Sequence, residues 1–253
     1  MKHLILITLT SMLLVACTQE PVVVPLDSLQ ERQGIKYQVN SQEGFTGIAE
    51  RYYKNGQLRT SINYIAGERD GLTESYSENG QLESRLNSIA GEYDGLSETY
   101  FENGQLESRS NWKAGEYDGL TEIYFENGQL QFSTNWKAGE RDGLAEEYFE
   151  NGQLRESINY IADVLDGPYE RYYENGQLEA RGNAIAGLID GLEERYYENG
   201  QLEASENYIA DVLDGPYERY YENGQLRVRG NYKAGKLISY ECWSEQGLTA
   251  DCF

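Results

Sequence analysis

The chain has 253 residues, 39% of them apolar by a count that includes 22 Tyr, and its mean hydropathy is −0.69. With 27 Gly, that composition excludes one globular domain around a large apolar core and points to a thin body whose faces both meet water. A formal net charge of −22 excludes binding to a phosphate backbone, which needs clustered Lys and Arg, and disfavours adsorption to anionic lipid.

Residues 1–16 read as a secretion signal. Lys2 supplies the charged start, Leu4 to Leu14 a short apolar core, and Leu14-Val15-Ala16-Cys17 a small-residue cleavage site. The run is too short to span a bilayer. This stretch resembles a lipobox, which implies cleavage before Cys17 and lipidation of that residue. Thr18, in the place where Asp signals inner-membrane retention, resembles the outer-membrane class, so the expected location is the cell envelope, at the outer membrane. The single His, His3, falls in the segment to be removed. Residues 17–36, with Pro21 and Pro25 and no period, read as the lipidated Cys and a flexible tether.

Residues 37–240 are a tandem array. Asn-Gly-Gln-Leu begins at Asn55 and recurs every 24 residues to Asn223, eight copies in all. A fixed period of this size means stacked repeats. Asn-Gly between alternating segments is a hairpin signal for a type I′ turn, with both central residues at φ > 0. The repeat turns are therefore Asn103-Gly104, Asn127-Gly128, Asn151-Gly152 and Asn175-Gly176, with their equivalents at each end. In that register Glu126 faces Gln129, Phe125 faces Leu130 and Tyr124 faces Gln131. The fold class is all-β: an elongated, twisted antiparallel sheet of tandem hairpins, a solenoid-type rod. Eight repeats of two strands give about 75 Å before twist.

Superposed units show rows that do not vary: Glu from Glu50 to Glu218, Tyr from Tyr52 to Tyr220, Asn from Asn63 to Asn231 and Ala from Ala66 to Ala234. A second, mostly aromatic row runs Tyr53, Ser77, Phe101, Phe125, Phe149, Tyr173, Tyr197 and Tyr221. Each row is first a packing or hydrogen-bonding ladder. A second, longer connection such as Lys113 to Gly119 carries Asp-Gly, whose glycines suit turn or bulge positions. Asn159–Leu178 and Asn207–Leu226 are identical, which suggests a copied two-repeat block. Residues 241–253 read as a degenerate cap: Trp243 to Leu248 is a shortened repeat turn, flanked by Cys242 and Cys252, a pair suited to a disulfide in an oxidising compartment.

The unit Tyr-Tyr-Glu-Asn-Gly-Gln-Leu, followed by Asn-Tyr-Lys-Ala-Gly-Lys at Asn231–Lys236, resembles the variant MORN repeat of bacterial proteins labelled YwqK-like putative antitoxins. The likeness spans about residues 45–240. It implies a hairpin-repeat rod with a binding or scaffolding role, and an antitoxin-like alternative in which an acidic face neutralises a basic toxin.

Chemistry beyond binding finds little footing. Without the signal the chain has no His, no nucleophile elbow and no phosphate-cradling glycine loop, and eight equivalent Glu lack the asymmetry that acid–base pairs need. No enzyme activity and no cofactor are expected. Acidic turns such as Glu116-Tyr117-Asp118-Gly119 offer Ca²⁺ oxygen ligands without the spacing of a calcium loop. The candidate binding face is Tyr100, Tyr124, Tyr148 and Tyr172 with Glu98, Glu122, Glu146 and Glu170. Its expected occupant is a protein partner in the envelope, with glycan or peptidoglycan as the other ligand that rows of Tyr suit.

Overall fold

The computed structural model describes residues 20–251, so the signal segment, Cys17 and Cys252 lie outside the described residues. Twenty strands form one open sheet. From β4 (Gly47–Tyr52) to the last strand, Thr249–Ala250, each strand pairs antiparallel with the one before it in sequence. The exception is β1 (Val23–Pro25), which runs parallel to β4 at the N-terminal edge, with Val24 beside Ala49. In one repeat the strand is split at Asp190 into Leu188–Ile189 and Gly191–Tyr196. Among the described residues no second layer covers the repeats. Many of their buried positions are accordingly small, Ala145, Ala180, Ala204 and Thr134 among them, and the larger exceptions include Glu98 and Glu206.

The two kinds of turn are the reverse of the expectation. At the Asn-Gly edge, the Phe125 N–H donates to the Gln129 carbonyl and the Gly128 N–H to the Phe125 carbonyl, both at 2.8 Å. Gly128 has φ +84° while Asn127 is not among the residues with positive φ. This is a three-residue loop, Glu126-Asn127-Gly128: a type I turn closed by one left-handed glycine. The extra loop residue shifts the register. Tyr124, and not Phe125, lies opposite Leu130, with a bulge between Ile123 and Tyr124.

The type I′ turn sits at the connection that the sequence suggested was longer. Lys113 pairs with Glu116, and the two residues between them, Ala114 and Gly115, have φ +48° and +81°. In two repeats the pair is Ala162-Asp163 or Ala210-Asp211. A left-handed Ala costs about 1–2 kcal/mol. A bond across repeats offsets part of it: the Ala114 N–H donates to Asp94 at 3.2 Å, and Ala234 to Asp214 at 3.0 Å. The glycine of Asp-Gly is the bulge anticipated for it. The register jumps between Tyr117 and Thr121, Gly119 takes φ +106°, and Asn111 Nδ2 bonds the Leu120 carbonyl at 2.9 Å.

The expected tether requires correction, since residues 20–36 are largely folded. After β1 a short 3₁₀ turn (Leu26–Ser28) leads into β2 (Leu29–Arg32), which forms a hairpin with β3 (Ile35–Gln38). Val24, Leu26 and Leu29 pack on Phe45, Ala49, Ile62 and Tyr64, the only cluster of buried apolar residues among the described ones. The valines and leucines that sequence polarity obscured are a cap for the first repeat. At the other end the degenerate unit keeps the repeat's turn: Ser244 N–H bonds the Leu248 carbonyl and Gly247 N–H the Ser244 carbonyl, each at 2.8 Å. Cys242 is disulfide-bonded.

Candidate binding face

Because side chains alternate across a strand, the invariant Glu row lies on one face and its register runs unbroken across the sheet. The ladder reads Glu50, Ser61, Glu74, Arg85, Glu98, Arg109, Glu122, Ser133, Glu146, Ser157, Glu170, Arg181, Glu194, Ser205, Glu218, Arg229 and Glu241. Every second rung is Glu, and the rungs between are Ser or Arg. In the repeats the Tyr two residues on from the Glu leans back along the strand to bond it, as Tyr148 does to Glu146 at 3.0 Å and Tyr172 to Glu170 at 2.6 Å.

Arg decides the local field. Glu98 is 1% exposed and accepts from Arg85 at 2.6 Å, Arg109 at 2.9 Å and Tyr100 at 2.8 Å. Burial alone would raise its carboxyl; the bonds from Tyr100, Arg109 and Arg85 outweigh burial and hold it below the usual range. Glu98 and Tyr100 are thus consumed by the sheet itself.

The other three predicted pairs are different. Ser133 stands between Glu122 and Glu146, and Ser157 between Glu146 and Glu170. The nearest cations serve elsewhere: Arg109 bonds Glu98 and reaches Glu122 only at 3.8 Å, while Arg181, opposite Glu170, bonds Glu194. The hydrogen bond from its hydroxyl to Glu170, with burial, pushes Tyr172 up to about 12, and burial together with Glu122 raises Tyr124. The structure therefore brings Glu122, Glu146 and Glu170, with Tyr124, Tyr148 and Tyr172, into one run of like charge, spaced by about 9.6 Å per two strands.

The predicted turn residues have structural work. Asn103 Oδ1 accepts the Gln105 N–H, and its Nδ2 donates to the Glu126 carbonyl of the following repeat. Asn127, Asn151 and Asn175 repeat the bridge to Glu150, Glu174 and Glu198.

Two features of the opposite face escaped the sequence reading. Tyr93, Trp112, Tyr117 and Trp136 form a ring stack with centroid separations of 5.1, 3.9 and 5.1 Å, and Arg141 sits 4.0 Å from the ring of Tyr160. The signal was present: Trp112 and Trp136, like Tyr93 and Tyr117, are one repeat apart. The other is Glu206, 2% exposed and held by Arg195, Arg219 and Tyr208, where the sister block has Ile158.

A family model described as MORN repeat variant matches residues 45–66, 69–89, 93–114, 117–138, 141–162, 165–184, 189–210 and 213–234. Comparison with curated proteins gave no match. Among solved structures, a chain of the "Crystal Structure of TcdB2-TccC3-Cdc42" is similar to 80% of this chain at 13% identity and a TM-score of 0.19; the likeness spans 15% of that chain.

Proposed function

Since the chain belongs to the MORN repeat variant family, a class of repeat consistent with a binding module, we propose that it is a non-enzymatic, protein-binding rod of the bacterial envelope, tethered through Cys17, and that its partner is basic. The observation that carries this reading is Ser in place of Arg at Ser133 and Ser157, which leaves Glu146 with no basic neighbour on the row and Glu122 and Glu170 with one each, Arg109 and Arg181, shared with Glu98 and Glu194. Flanking tyrosines add amphipathic contact area, and a like-charged row steers a cationic surface towards it.

Residues 18–253, tagged and used as bait on envelope extract, test it. The expected result is capture of a basic protein that is lost at moderate salt and lost in the E122Q/E146Q/E170Q variant, whose melting temperature stays near that of the parent. Equal capture by the triple variant would count against this face. The acidic run also favours a second reading, an immunity role against a cationic toxin. It leads if the captured protein is toxic when expressed alone and harmless beside this chain. Failure to capture any protein, with sedimentation on purified sacculi, would move the reading to glycan attachment.

A further inference from the structure

The second aromatic row has one interruption. Seven repeats place a ring after the invariant Tyr, and the second repeat places Ser77. Where the ring is a tyrosine it reaches into the following repeat: Tyr53 donates to the Tyr76 carbonyl and Tyr173 to the Tyr196 carbonyl, each at 2.8 Å. In three repeats an arginine covers the ring, with Arg59, Arg155 and Arg227 lying 5.5, 5.8 and 5.6 Å from the centroids of Tyr53, Phe149 and Tyr221. The array thus carries its own template for a recognition site: a slot for one ring, a carbonyl at its far end, and a cation above.

At Ser77 the side chain is too short to occupy the slot, and its hydroxyl turns instead to Asn79 Oδ1 at 2.5 Å. A cavity of about 630 Å³ opens there; Leu82, Tyr100 and Phe101 line it with the acidic Glu78, Glu83, Glu102 and Glu107, and its lining holds no Lys or Arg. Glu83 occupies the place that Arg59 and Arg155 hold in their repeats.

We propose that this cavity binds an aromatic cation, a phenolic ring carried beside a positive charge, as a partner protein presents when Tyr adjoins Lys or Arg. The ring takes the place that the other repeats fill for themselves. Its hydroxyl donates to the Tyr100 carbonyl, the equivalent of the acceptors at Tyr76 and Tyr196, and its cation meets Glu83 and Glu102. The site lies at the turn edge of the second and third repeats and stands independently of the Glu122–Glu170 run.

Tyramine is the probe, since it holds a phenol and an ammonium two carbons apart. Titrated into the intact protein, it should give saturable shifts of the Tyr100 and Phe101 amide resonances. Ser77→Phe should raise the melting temperature and abolish those shifts. The E83Q/E102Q variant leaves the slot open and should weaken binding at least fivefold. Absence of saturable shifts, or full binding by either variant, would overturn the assignment.

Discussion

At the scale of single residues, each invariant position has a structural task that can be tested alone. Ala114 adopts a left-handed conformation that Gly or Asn tolerates more readily. Ala114→Gly is therefore expected to be neutral or to stabilise by up to about 1 kcal/mol, read from the denaturant midpoint. Glu98 gives the opposite case. Its folded carboxyl is held below the usual glutamate value, so its contribution is complete above the unfolded value and is lost as pH falls through the lower folded value. Glu98→Gln should lower stability by about 1–3 kcal/mol at neutral pH, less than for a fully buried pair because both arginines are nearly half exposed. The same variant should flatten the acid limb of the stability–pH curve. Of the predicted face, the Glu–Tyr pairing was legible from two-residue spacing. What separated Glu98 from Glu146 was the identity of residues 11 and 13 positions away, which become neighbours only once register is known.

At the scale of the hairpin, strand number and period were legible in the sequence, and register was not. Asn-Gly serves both a two-residue primed turn and the last two places of a three-residue loop, and only the hydrogen bond from Gly128 to Phe125 distinguishes them. Ala-Gly was passed over because Ala is not a usual left-handed residue; its backbone N–H is held by Asp of the preceding repeat, a contact 20 residues away. Deleting Glu126 checks the loop length. The two-residue turn left behind keeps Phe125 opposite Gln129, and so keeps the Glu122 rung, but it forces Asn127 as well as Gly128 into the left-handed region and loosens this edge locally. Hydrogen exchange should then quicken in the strands Glu116–Tyr124 and Leu130–Lys137, while β4 and its neighbours keep their protection.

At the scale of the molecule, cooperativity passes between neighbouring repeats and not through a central core. Removing residues 159–206 joins Ile158 to Asn207, and Asn207–Leu226 repeats the first 20 residues deleted. The shortened chain should fold, lose about 19 Å of length by solution scattering, and melt within a few degrees of the parent. An aggregated product would show that the Glu206 cluster is a required junction. The N-terminal cap was the least legible part of the fold, because its apolar residues are few and interleaved with prolines and charges; their partners Ile62 and Tyr64 lie in the first repeat. The bonds between successive turns, Asn to carbonyl on one long edge and Asp to Ala on the other, bear on how the rod carries load. Strands lie across the long axis, so tension between the two ends meets their hydrogen bonds one rung at a time. The rod should yield as a zipper, hairpin after hairpin, each releasing 24 residues or about 80 Å of slack. A rod built this way lengthens in steps at low force and reseats when the pull relaxes.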